Sequence, residues 1–144
     1  MVTREYGRAD RTALPCHLEA HLRRVRSSDL LAGLLAGAGA AHFLLPKQFD
    51  AIVPRRLPGS PRAWTYASAV VELALAAGIA VPRTRSRSAT AAAVFFVAVV
   101  PANVKMAADW KDRPAPLRRA VQARVPAQIP LVLWARKVAR DAPR

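Results

Sequence analysis

Four long apolar runs separated by arginine-rich connectors constrain this chain more than any other feature. The first, "LLAGLLAGAGAAHFLL", extends from Leu30 to Leu45, with Asp29 before it and Pro46 after. The second, "AWTYASAVVELALAAGIAV", extends from Ala63 to Val81 and stops at Pro82. The third lies between Ser88 and Ala108, and the fourth, interrupted by Arg124, between Ala120 and Val138. At about 1.5 Å per helical residue the first run is about 24 Å long, slightly short of a roughly 30 Å hydrocarbon core, which local thinning or one extra turn through Ser27 and Ser28 would close. Nearly continuous apolarity leaves little of the one-sided periodicity that a soluble amphipathic helix requires. The expected fold is therefore all-α, an integral membrane four-helix transmembrane bundle. Its spans are placed at about 29–46, 63–81, 88–108 and 120–138, with a basic N-terminal tail over 1–28 and a basic C-terminal tail over 139–144.

Charge placement supports that reading. The chain is 53% hydrophobic but only 6% aromatic, and its formal net charge is +14. A nucleic-acid binder of this charge would carry a basic stripe with interleaved aromatics or a reading motif, and neither is present. The cations sit between the apolar runs, as they do in membrane proteins. One set comprises Arg4, Arg8, Arg11, Arg23, Arg24 and Arg26, the Arg83, Arg85 and Arg87 turn, and Arg136, Lys137, Arg140 and Arg144. The smaller set is Lys47, Arg55, Arg56 and Arg62 with Lys111, Arg113, Arg118 and Arg119. The positive-inside rule places the larger set, and both termini, in the cytoplasm. The lone cysteine, Cys16, excludes an intramolecular disulfide and a CxxC redox or zinc pair, and is expected to stay a free thiol there. The first 28 residues lack the short apolar segment of a cleaved signal peptide. Alanine and arginine richness suggests a bacterial source of high GC content.

Five unusual polar residues lie within the spans, and all five fall in the outer half. Counted from the outer helix ends, His42 is about 6 Å deep, Arg124 about 8 Å, Asn103 about 9 Å, Glu72 about 12 Å and Gln128 about 14 Å. Thr65, Ser68 and Glu72 share one helical face, as do Arg124 and Gln128. In the third run Asn103 is expected to point inward, whereas Lys105, about 200° around the helix, reaches the outer surface and pairs with Asp109. A charged side chain within a span costs at least about 2.5 to 3.5 kcal/mol, so partners are expected, Glu72 with Arg124 first among them. Asn103, His42 and Gln128 would complete the hydrogen bonds. The cluster reads either as structural glue between helices or as a ligand or proton site. No metal site is expected, because no second His or Cys is placed beside His42.

Several smaller features follow. Pro101, Pro126 and Pro130 each remove a backbone donor and should bend helices three and four near the polar layer. Gly33, Gly37 and Ala41 form a small-xxx-small ridge, expected to pack a neighbouring helix of this chain or of a partner. Phe49, Ile52 and Val53 stand at helical spacing before Pro54, which fits either a short helix lying in the outer interface or an irregular loop with incidental apolar residues. Trp64, Tyr66, Trp110 and Trp134 suit interface anchors.

The strings "HFLLPKQFDAIVPRRLPGSPRAWTYASAVVEL", "FVAVVPANVKMAADW" and "RVPAQIPLVLWA" resemble the DoxX-like family of small bacterial membrane proteins. The resemblance spans about Asp29 to Val138, and Ala69 departs from it where glycine is expected. It implies a redox association, with the chain as a non-catalytic membrane subunit or scaffold of a quinone-linked or oxidant-defence system. No catalytic residue is implied. Soluble or membrane oxidoreductase partners and a homo-oligomer belong to the same expectation, along with the lipid bilayer; no nucleic acid does. No cofactor is evident in the chain, and a quinone would come through a partner. Two other functions fit the residues: a quinone or small-acid site formed by His42, Glu72, Asn103, Arg124 and Gln128, or a small proton-coupled transporter. The expected location is a bacterial plasma membrane, crossed several times.

Overall fold

The computed structural model describes residues 16–53 and 57–143, with side chains of the first helix from Ser27 onward. The basic tail before Cys16, the side chains of Cys16, His17 and His21, and Arg55 and Arg56 lie outside the described residues. Within them the chain is helical and contains no strand. The elements are α1 (Cys16–Leu44), α2 (Pro46–Asp50), α3 (Pro61–Ala80), α4 (Arg85–Ala98), α5 (Val100–Asp109) and α6 (Ala115–Asp141). Helix α1 thus begins well inside the segment read from sequence as a basic tail.

Local chemistry sets the boundaries. Pro46 cannot donate to the last turn of α1; Leu45 leaves the helical region at φ −126°, ψ 44°, and Pro46 opens α2 at a position where its missing N–H costs nothing. Ser60 caps α3, its Oγ accepting the Ala63 N–H at 3.2 Å, and Pro61 again follows the cap. At the other end of α3, Arg85 folds back and donates to the Ile79 and Ala80 carbonyls at 2.9 and 3.2 Å. The buried Arg85 therefore satisfies helix-end acceptors as well as contributing charge to its turn.

The third apolar run is not one helix. It breaks at Val99, two residues before Pro101, and resumes as α5, where the Asn103 N–H bonds the Val99 carbonyl at 3.1 Å. The expected effect of Pro101 is seen as this interruption. By contrast α6 stays helical through both Pro126 and Pro130.

Helix α1 packs along α3, α4 along α6, α3 against α4, and α5 against α6, while α2 lies on α3. The apolar centre is built from Leu31, Leu35, Ala76, Ile79, Ala89, Ala92, Ala93, Phe96, Ala135 and Val138. Small residues predominate because they let backbones approach closely. At Gly39 an added methyl would lie 2.9 Å from Leu73 Cγ and 3.0 Å from the Ala69 carbonyl, so α1 meets α3 there. Gly33 and Gly37 instead face open space with nothing within 4 Å. Among the described residues the two ridge glycines therefore meet no neighbouring helix; the glycine of α1 that does is Gly39, outside the ridge.

Two segments are long and apolar enough to cross a membrane, Pro61–Ala80 and Arg85–Asp109, the second counted through the break at Val99. Only 28% and 22% of their most apolar windows is buried, whereas the core helix of a soluble protein is mostly buried. Leu30, Val70, Val94, Val97, Ile129 and Leu133 all point outward from the packed helices.

Candidate functional site

A cavity of about 440 Å³ lies among the helices, within the size range of small-molecule pockets. Its lining includes His42 from α1, Thr65, Ser68 and Glu72 from α3, Asn103 from α5, and Arg124 and Gln128 from α6. All five polar residues singled out in the sequence, though far apart along the chain, thus line one space. Helical register explains the meeting, because each lies near the same level of its own helix and on the face turned toward the others.

The pairing within this polar belt differs from expectation. Glu72, 8% exposed, has His42 as its ionic partner, with Nδ1 and Oε2 3.1 Å apart. His42 Nδ1 also lies 2.8 Å from the Ala38 carbonyl oxygen, which can only accept, so Nδ1 carries the ring proton. That N–H is directed at Ala38, and Glu72 Oε2, although close to the ring, is a buried oxygen without a well-formed hydrogen bond. No Glu72–Arg124 ion pair forms among the described residues. Arg124 is solvent-exposed on one side, lines the cavity on another, and has no acidic partner among them. The histidine supplanted it because α1 packs directly along α3, whereas Arg124 reaches the site from α6.

Two amides complete the belt. Asn103, only 4% exposed, faces inward as its spacing from Lys105 predicts, while Lys105 pairs with Asp109 on the outside and donates to the Ala51 carbonyl at 3.3 Å. Gln128 is 9% exposed, and its Oε1 is buried without a donor. Leaving a buried acceptor unpaired costs about 1 to 3 kcal/mol. Such an oxygen beside the cavity leaves an unfilled acceptor on its wall. His42 and Glu72 gain no third His, Cys, Asp or Glu able to hold a metal among the described residues.

Apolar groups close the cavity on both sides of the belt. Toward the chain termini lie Leu35, Phe95, Phe96 and Leu131; toward α2 lie Phe49, Ile52, Val53, Leu57 and Trp64. The α2 segment turns Phe49, and the turn after it Ile52 and Val53, toward the cavity. Phe49 stacks on the His42 ring at 3.8 Å between centroids. Asp50 ties the segment down, accepting from the Thr65 hydroxyl at 2.7 Å and from Arg62 Nε at 2.8 Å. Partial burial alone would push the Asp50 pKa up, but these two hydrogen bonds and the Arg62 charge outweigh it and hold the carboxyl below its ordinary value. Asp50 and Phe49 were missed as site residues because their partners are on α3 and α1, and no local spacing announces such contacts.

The comparisons with known proteins alter the family assignment. No curated protein and no solved structure matches the chain. A family match covers residues 31–139, most of the chain, and it is to the family described as "Domain of unknown function (DUF8561)". It overturns the DoxX-like resemblance, which rested on the order of short strings such as the Pro101-Ala102-Asn103 step without any wider match. The redox association came from that resemblance and goes with it. The chain belongs to the family of the domain of unknown function DUF8561.

Proposed function

We propose that this protein is a multi-pass membrane protein of the cell membrane that binds a small molecule with an apolar body and a polar head, a quinone or small acid in chemical type, in the outer half of a helical bundle. Four rods, α1, α3, the broken α4–α5 pair and α6, are the spans, with both termini cytoplasmic. Support comes from the outward-facing apolar side chains on these rods and from the excess of Arg and Lys on the side of the termini. In water those side chains would leave many large apolar groups exposed, which is unfavourable for a soluble monomer. In lipid they are solvated, and the polar residues face one another, as intramembrane polar groups must.

The observation that carries the binding function is the cavity of about 440 Å³ that gathers His42, Glu72, Asn103, Arg124 and Gln128 between two apolar walls. A cluster serving only as glue would close on itself, leaving neither this space nor unpaired buried acceptors. No covalent step is assigned to these side chains; the activity is binding.

Native mass spectrometry of protein released directly from its membrane tests this. The expected spectrum contains protein carrying a small-molecule adduct, and an Ala38→Phe variant, which fills the cavity from α1, loses the adduct while remaining folded. A wild-type protein free of any adduct across several membrane sources would remove the proposal's basis.

A further inference from the structure

We infer that the ligand of this cavity is an amphiphilic organic acid carrying a hydrogen-bond donor, a hydroxyl or ammonium group, close to its carboxylate. The inference rests on the proposed binding function and narrows it to a chemical class.

The charges select the acid. Of the three ionisable side chains lining the cavity, Glu72 and His42 answer each other at 3.1 Å, whereas Arg124 has no acidic partner among the described residues. A guanidinium presents a planar fork of donors that matches a carboxylate in two parallel hydrogen bonds. Its exposed side leaves part of the guanidinium uncovered by the rest of the described chain.

An unpaired oxygen selects the donor. Gln128 Oε1 is buried without a hydrogen bond. It is an acceptor, and neither a simple carboxylate nor a quinone, whose oxygens only accept, can satisfy it. Gln128 lies one helical turn, about 6 Å, from Arg124 on the same face of α6. A head group with its donor on the carbon beside the carboxylate matches that separation, with a small rotation of the glutamine amide bringing its oxygen to the donor. The apolar body then lies against Leu131, Leu35 and Phe96. Asn103, inward-facing and with no side-chain hydrogen bond among the described residues, lines the same cavity and can add a third donor to the carboxylate.

Trp64 lines the same cavity and supplies a fluorescence signal, to be confirmed by its loss in Trp64→Phe. The full chain in lipid nanodiscs is titrated with phenyllactate, phenylalanine, phenylpropionate and phenylpropanol, which share one apolar body and differ in the head. Phenyllactate or phenylalanine is expected to bind about tenfold or more tightly than phenylpropionate, the ratio set by one hydrogen bond to a buried acceptor. Whichever of the two binds more tightly identifies the donor as hydroxyl or ammonium. Phenylpropanol is expected to bind most weakly. Arg124→Gln should weaken the three carboxylates about tenfold or more and leave phenylpropanol unchanged, with Arg124→Lys restoring part of the loss. Gln128→Leu should make phenyllactate and phenylpropionate equal. Phenylpropanol binding as tightly as the acids, or an acid preference that survives Arg124→Gln, overturns the acid assignment. Equal binding of phenylpropionate and both donor-bearing acids to the wild type overturns the donor. If no probe, phenylpropanol included, perturbs Trp64, the cavity is not a binding site and the proposed function itself fails.

Discussion

Gly33 and Gly39 belong to the same helix, yet a methyl group would have opposite effects at the two. At Gly39 it meets Leu73 Cγ at 2.9 Å and the Ala69 carbonyl oxygen at 3.0 Å, and the carbonyl cannot move aside without shifting α3. Gly39→Ala is therefore expected to destabilise by about 1 to 3 kcal/mol. Gly33→Ala adds its methyl to open space and should stabilise by roughly 0.5 to 1 kcal/mol through helix propensity alone. Thermal unfolding in a single detergent checks both, and the reverse order would show that the α1–α3 contact is misplaced. Gln128 gives a second residue-level test. Its buried Oε1 has no donor, so Gln128→Leu is expected to leave stability unchanged or raise it by about 1 kcal/mol in ligand-free protein. A large loss instead would mean that the glutamine is structural glue.

Among the elements, α2 owes its position to a few contacts outside its own backbone. Five residues make too short a helix to be stable alone, and the Asp50 bonds to Thr65 and Arg62 and the Phe49 stack on His42 hold it over the cavity. Because the Asp50 carboxyl has a lowered pKa in the folded protein, its contribution is fully present above the ordinary carboxylate value of about 4 and fades as pH falls through the lowered folded value. Asp50→Asn should thus unfold at a lower temperature than wild type at neutral pH, and the difference should vanish in strong acid. A difference that grows toward acid would contradict the sign of the shift. Loosening of α2 should appear directly as faster hydrogen exchange of its amides in the variant.

For the molecule as a whole the testable property is topology. The proposed orientation, with both termini cytoplasmic, predicts that a cysteine from Asp112→Cys lies outside and one from Arg83→Cys inside. In a Cys16→Ser background an impermeant maleimide applied to intact cells is expected to label the first and to reach the second only after permeabilisation. The opposite pattern would invert the orientation, and labelling of both in intact cells would remove the membrane assignment.

The helical class and the inward direction of Asn103 were legible in the amino-acid order, because they depend on local quantities, run length and the 100° step between residues, whereas the start of α1 at Cys16 and the division of the third run into α4 and α5 were not. The five polar residues could even be grouped by depth, since rise per residue is constant. Which of them pair could not be read. Glu72 is opposite His42 because Gly39 lets α1 approach α3 closely, and that approach depends on how two helices fit, a property of neither sequence segment alone. The same holds for the glycine ridge, whose spacing is right for packing but whose face points away from the chain, and for α2, whose apolar spacing suits a membrane surface and a cavity roof equally well. The sequence by itself determined how each segment could fold and what it had to hide from water. Only the tertiary structure decided which faces met, because partner choice depends on the close packing of side chains brought together from distant parts of the chain.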